Sequence, residues 1–283
     1  NMTDTLQRFV FNEGEVRGEL VLIEDTLKTA LEGRDYPEPA QQLLAQSLSA
    51  AVLLGGVLKM KGRISLQAKG QGPVTLLMAD CSDERGARGL IHTEDSIQHG
   101  SIGEQLGHGQ LVITIEPEQG QRYQGIVPLE SDTLQECLQD YFTRSEQLDT
   151  LILLFADSER AGGLMLQKMP GYETTEDDDL WNRLTHLAQT TSQQELLSVA
   201  PETLLHRLFH EESISLYPEE PVFFHCHCSR ERTANALETL GAQECYDLLA
   251  EQGEISVDCQ FCNQQYRFGQ DDIEALFGPH QRH

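Results

Sequence analysis

Four cysteines near the C-terminal end constrain this chain more than any other feature. Cys226 and Cys228 form a C-x-C pair, thirty residues intervene, and Cys259 and Cys262 form a C-x-x-C pair. Two close pairs bracketing a short segment match the ligand spacing of a tetrahedral zinc site, whose four positions are closed by thiolates. His225 and His227 interleave with the first pair. In extended backbone, residues i and i+2 face the same side, so the two cysteines share one face and the two histidines the other. A four-thiolate Zn2+ site is the expected arrangement, with one His in place of a Cys as the alternative. Cys81, Cys137 and Cys245 are scattered singly and read as structural thiols. Cys137 falls on an apolar helix face, Cys81 at the end of a strand, and Cys245 in a helical context beside Leu248 and Leu249.

Conventional catalysis finds no carrier. His92-Thr93-Glu94 fits the H-x-E of zinc deaminases, but Asp258 rather than Pro precedes Cys259 and the gap exceeds the motif's reach. Four protein thiolates would leave no coordination position for water or substrate. No G-x-x-x-x-G-K-[ST] phosphate loop and no G-x-S-x-G elbow occurs. The residues predict a protein that is not an enzyme.

The rest of the chain divides by texture into residues 1–170, 171–220 and 221–283. The first part mixes strand and helix patterns. Arg63–Lys69 alternates polar and apolar, with Ile64, Leu66 and Ala68 on one side, as a half-buried strand should. Val16–Ile23, Val74–Ala79, Leu111–Ile115, Gln124–Val127, Leu151–Phe155 and Gly163–Gln167 are further expected strands. Helices are expected over Thr26–Glu32, Pro39–Leu54 and Thr133–Glu146; in the last, Leu134, Cys137, Leu138 and Tyr141 line one face. Strands and helices do not alternate regularly enough for a doubly wound parallel sheet. The expected fold class is α+β, with a mixed N-terminal domain, an acidic helical linker and a small C-terminal zinc-binding domain.

Residues 171–220 are the most acidic for their length, with 2 basic against 11 acidic side chains. Thr175 and Asp178 resemble a capping box, and the run Glu176–Asp179 would set negative charge at the positive end of a helix. Leu180, Leu184 and Leu187 form one apolar stripe. A second helix with Pro201 in its first turn carries Leu204, Leu205, Leu208 and Phe209. Helices this short have no core of their own and must pack on a neighbour. The chain as a whole has formal net charge −26. That disfavours a phosphate-tracking surface, although Arg230, Arg232 and Arg267 leave a constitutive zinc-ribbon contact with protein or nucleic acid as the second reading. The N-terminal stretch has no apolar signal region and no segment approaches the ~20 residues of a membrane span, so a cytoplasmic, reducing location is expected.

The C-terminal stretch contains C-x-C-S-R-E-R, then A-L-x-x-L-G, then E-x-G-x-I-x-V-x-C-x-F-C-N-x-x-Y-x-F. With RGELVLI at 17–23, the run at 43–74 and YQGIVPL at 123–129, this combination closely resembles the 33 kDa chaperonin family, bacterial redox-regulated heat-shock holdases. The resemblance covers nearly the whole chain and is weakest in the middle segment. It implies one zinc held in the reduced state by Cys226, Cys228, Cys259 and Cys262. It further implies that oxidation joins 226 to 228 and 259 to 262, releases the metal and unfolds the middle segment. The protein would then hold unfolding client proteins without ATP, as a homodimer when oxidised. The segment 171–220 is the expected switch, its apolar face made of Leu180, Leu184, Leu187, Leu204, Leu208 and Phe209.

Overall fold

A computed structural model describes residues 4–172 and 177–278. The fold is α+β, and its residues separate into two compact units, one running through His225 and one starting at Cys226.

The first unit is organised by one helix. α1 (Asp25–Leu31) is short, whereas α2 (Glu38–Gly55) has Leu, Ala, Val or Ser at all but two positions from Leu43 onward and is buried almost all round there. A helix that is apolar on every side must lie inside the protein. α2 does so between two sheets. The first sheet contains β1 (Thr5–Phe11), β2 (Val16–Ile23), β8 (Thr150–Ala156), β9 (Ala161–Lys168), β10 (Ile214–Leu216) and β11 (Glu220–Pro221). Its order is β10-β1-β2-β9-β8, with β11 also on β1. The second sheet, in the order β12-β5-β4-β3-β6-β7, contains β3 (Gly62–Lys69), β4 (Val74–Ser82), β5 (Gly86–Thr93), β6 (Gln110–Pro117), β7 (Tyr123–Val127) and β12 (Phe223–Phe224). α3 (Ile102–Leu106) and α4 (Leu134–Ser145) complete this part.

The two sheets differ in what their strands bury, and the sequence shows why. β3 alternates buried and half-buried positions, as its Ile64-Leu66-Ala68 pattern requires. β2 and β9 are buried on both faces, which explains their continuous apolar runs. Gly162 and Gly163 make the double packing possible. A Cβ on Gly163 would lie 2.9 Å from Leu53 of α2, and one on Gly162 would lie 2.6 Å from Leu196 on the opposite face.

That opposite face is covered by α5 (Leu180–Ala188), α6 (Gln193–Ser198) and α7 (Pro201–Phe209). Their side chains form a second core with Phe9, Phe11, Leu20, Leu22, Leu164 and Leu166 of the first sheet. The short amphipathic helices thus find their neighbour in the first sheet. Thr175, half of the expected capping box, lies outside the described residues, as does Glu176. α5 begins only at Leu180, and the Asp177 carboxylate instead pairs with Arg183 at 2.7 Å.

Three differences from the sequence expectation have physical causes. The unit boundary falls at 225/226, not 220/221, because residues 214–224 pair with β1 and β5. β1 and β5, absent from the expected strands, exist because tertiary pairing overrides weak local patterns. α6 is set by a capping box, with Ser192 and Glu195 exchanging hydrogen bonds with each other's backbone.

The second unit contains α8 (Arg230–Leu240), α9 (Ala242–Gln252), the hairpin β13 (Ile255–Asp258) and β14 (Gln265–Phe268), and α10 (Gln270–Phe277). Its core is small: Leu237, Cys245, Tyr246, Leu249, Ile255, Phe268 and Ile273. No helix among the described residues is long and apolar enough to cross a membrane.

Candidate metal and thiol centre

Two loops bring the four cysteines together. Cys226 and Cys228 lie in the irregular stretch just ahead of α8, whose N-cap Ser229 accepts from the Arg232 N–H. Cys259 and Cys262 occupy the turn between β13 and β14. There the Cys259 N–H donates to the Gln264 carbonyl at 2.9 Å, and the Asn263 N–H donates back to the Cys259 carbonyl at 2.8 Å. Asn263 adopts φ 64°, a left-handed conformation that Asn tolerates better than most residues. This residue turns the chain so that both thiols point inward.

The four sulfurs all lie within 4.8 Å of one another. Cys226 and Cys259 approach to 3.6 Å, and Cys228 and Cys262 to 3.5 Å. A tetrahedral Zn–S bond of ~2.3 Å sets ligand sulfurs about 3.8 Å apart, so the cluster has the size of such a site. All four are free thiols, far beyond the ~2.05 Å of a disulfide. Among the described residues, the group that could hold a metal ion consists of these four cysteines. His225 instead donates its N–H to the Ala87 carbonyl in the first unit.

The thiols titrate unequally. Burial works to raise the Cys259 pKa, but N–H donation from Cys262 and Phe261 outweighs it and holds the group below the usual thiol value. Burial, reinforced by the neighbouring sulfurs, pushes Cys262 up to about 12. Four thiolates cannot share so small a volume without a cation, because each disfavours ionisation of the next. Tyr266 on β14 adds a contact that the sequence analysis did not assign. Its hydroxyl lies 3.1 Å from the Cys228 sulfur, and that bond, followed by burial, raises its pKa to about 12. The only sequence signal for it was the Y of the C-N-x-x-Y stretch.

The remaining expected residues are placed as follows. Cys81, Cys137 and Cys245 are buried, and burial raises the pKa of each, so they are poor nucleophiles. Leu180, Leu184, Leu204 and Phe209 are fully buried against the first sheet, while Leu187 and Leu208 pack at its margin. Leu205, expected on the second helix, joins them in that core, as do Leu196 and Leu197, which the residue patterns did not single out. Arg230 bonds the Arg267 carbonyl, pairs with Asp272 and lies over the Phe268 ring. Arg267 reaches Glu254 and Gln265. Two of the three candidate nucleic-acid cations are therefore committed inside their own unit.

An α+β body built round one buried helix, followed by a small unit whose four thiols converge at metal-binding distance, defines a two-unit thiol-cluster protein. The Hsp33 protein family model matches residues 4–269. The 33 kDa chaperonin of Hahella chejuensis is 48% identical over 276 residues, covering 97% of each chain. That of Pseudomonas paraeruginosa is 47% identical over 281 residues, covering 97% of this chain and 95% of its own. The crystal structure of the 33 kDa chaperonin from Thermotoga maritima shares the fold, with a TM-score of 0.84 at 23% identity over 97% of this chain and 98% of that one. The chain belongs to the Hsp33 family, and membership supports a chaperone.

Proposed function

We propose that this protein is a redox-regulated, ATP-independent holdase whose four-cysteine unit is the sensor. The carrying observation is the convergence of Cys226, Cys228, Cys259 and Cys262 in a family of chaperones. In the reduced state these residues would hold one Zn2+. The donor set fits that ion, since soft thiolates at tetrahedral spacing favour it. Bound there, zinc supplies the folding energy that the small core of the second unit lacks.

Oxidation removes the ligands. Cys259 and Cys262 join into a disulfide, and so do Cys226 and Cys228. Each pair of thiolates gives two electrons to one peroxide, which leaves as two hydroxides. The closest sulfur approaches in the folded unit cross between the pairs, so the local pairing proposed here requires the two loops to separate. A disulfide closing three or four residues restrains the unfolded chain by only about 2 kcal/mol, too little to replace the metal. The second unit then opens, residues 171–220 lose their C-terminal anchor, and the apolar faces of α5–α7 and the first sheet become available to unfolding client proteins. The active form is a cytoplasmic homodimer without enzymatic activity and without a nucleic-acid partner.

The test measures metal release with a chromogenic chelator and suppression of citrate synthase aggregation in the same sample, before and after peroxide. One metal per chain should be released as suppression appears, with 226–228 and 259–262 found by peptide mapping. Suppression that is equal in the reduced, metal-loaded protein rejects the redox reading. A dominant 228–259 crosslink rejects the pairing.

A further inference from the structure

The two edges of the first sheet are closed in different ways. At β8, helix α4 does it with side chains: Gln139 accepts from the Ile152 N–H at 3.2 Å and Gln135 from the Leu154 N–H at 2.8 Å. α4 itself is anchored in the main core through Leu134, Cys137, Leu138 and Tyr141. An unpaired strand edge is a template for another chain, and here those two side chains occupy it.

At β1 the cover is a strap, residues 213–222. Asn12 donates to the Ser213 carbonyl, Ser215 lies opposite Val10, Tyr217 donates to the Arg8 carbonyl, and Val222 donates to the Asp4 carbonyl. The strap continues into β12 on β5, and two residues later the chain reaches Cys226. As a strand it is poor. Pro218 and Pro221 have no N–H, and the ladder breaks into Ile214–Leu216 and Glu220–Pro221. Side chains hold it across the gap: Gln7 to the Tyr217 carbonyl at 2.6 Å, and Glu220 between Arg8 at 2.9 Å and Arg85 at 3.3 Å. Its central Leu216 and Tyr217 stay 40% and 47% exposed, so burial holds it mainly at its ends, through Ile214 and Val222. Beneath it, β1 pairs with β2 over its whole length from Thr5 to Phe11. The template is therefore rigid and seven residues long, while its occupant uses it only in part.

We propose that the strap is a built-in stand-in for a client, and that the β1 edge, once the strap lifts, takes an extended segment of an unfolding polypeptide as an added antiparallel strand. The proposal rests on the redox reading for what lifts the strap. The occupant is defined by chemistry. An unfolding protein presents unpaired backbone amides and β-prone apolar stretches, and a ladder to β1 is made of main-chain bonds that any sequence can supply. An uninterrupted segment would pair where the prolines of the strap do not.

Two substitutions separate the edge from its cover. The backbones of Arg8 and Asn12 face the strap, so by alternation the Val10 N–H does too, and the odd-numbered residues bond β2. Val10→Pro removes that donor and leaves the β2 ladder in place, whereas Ser215→Pro loosens the strap and leaves β1 intact. With circular dichroism and metal content matching wild type, oxidised V10P should suppress citrate synthase aggregation at least fivefold less well than oxidised wild type. Reduced, metal-loaded S215P should suppress it at least fivefold better than reduced wild type. A synthetic peptide of residues 213–222 should compete with client. In hydrogen exchange, the Val10 and Asn12 amides of the oxidised protein should be protected when carboxymethylated lactalbumin is bound.

Wild-type activity in oxidised V10P overturns the proposal, and so does a client complex that leaves those two amides unprotected. Protection that follows dimer formation without client assigns the edge to a second copy and overturns it equally. If oxidised wild type never gains activity, the redox reading fails; S215P then decides the edge separately, because it needs no oxidant.

Discussion

Glu19 is the least expected charge in the molecule. It sits in β2 at 2% exposure, its Oε2 has no hydrogen-bond partner, and a Cβ on Gly56 would fall 2.8 Å from its carboxyl carbon. Burial raises its pKa to about 8 despite the opposing fields of Arg17, Arg85 and Arg8. Below about pH 4.5 the folded and unfolded states both carry the proton and the group is neutral to stability. Between about 4.5 and 8 the unfolded chain releases it and the folded chain keeps it, so stability falls as pH rises. Glu19→Gln should therefore leave stability at pH 4.5 nearly unchanged and raise it by roughly 2–4 kcal/mol at pH 8, read from urea midpoints. Equal gains at both pH values would locate the effect elsewhere. Tyr266 acts at the same scale. Outer-sphere partners of metal ligands typically contribute 10–100-fold in affinity. If the site holds zinc as proposed, Tyr266→Phe should weaken that binding by about that range in a chelator competition while stoichiometry stays at one under saturating metal; unchanged affinity would make the hydroxyl contact incidental.

At the scale of elements, α5–α7 are held to the first sheet by burial and by one clamp. Phe209 packs edge-on against Phe11 with centroids 5.0 Å apart and near Phe9 at 6.3 Å. Arg183 bridges α5 to the turn after α7, bonding both Glu212 oxygens and Asp177. The clamp is partly solvated and contributes modestly, so the aromatic contact dominates. Phe209→Ala removes a buried ring, a change that typically costs about 3–5 kcal/mol. Because the lost ring contacts with Phe9 and Phe11 join α7 to the sheet, hydrogen exchange should quicken across 180–209 and leave α2 protected. On the proposed redox reading, holdase activity should then appear at lower oxidant. Uniform loss of protection across the first unit would show instead that the helices and body unfold as one.

The whole molecule divides its stability unequally. The first unit has two cores and the buried helix α2, whereas the second has seven buried apolar residues among its described residues. A core of that size rarely supplies more than ~3–5 kcal/mol, against roughly 10–16 kcal/mol for a structural zinc site. Chelating the metal from fully reduced protein should abolish the ordered signals of the second unit while the first retains its melting transition, seen as two separable events by calorimetry. A single transition with and without metal would mean that the core of the second unit suffices alone.

Much of this was legible from residue patterns because the governing physics is local. The C-x-C and C-x-x-C spacing brought four thiols to one point, and the alternation of Ile64, Leu66 and Ala68 made a half-buried strand. The Ala- and Leu-rich run of α2 announced a helix, but not that it would be enclosed by two sheets, since enclosure depends on what surrounds it. β1 and β5 escaped notice because their strand character comes from partners far along the chain. The same holds for residues 214–224, of which 214–220 read as linker and 221–224 as the start of the C-terminal domain until β1 and β5 were there to pair with them. Sequence by itself determined the thiol cluster, the α+β class and the helices that needed a neighbour. Tertiary structure alone decided which neighbour they had, where the units divide and which sheet edge is covered only by a strap, because hydrogen-bond pairing and burial between distant segments leave no periodic mark on either segment.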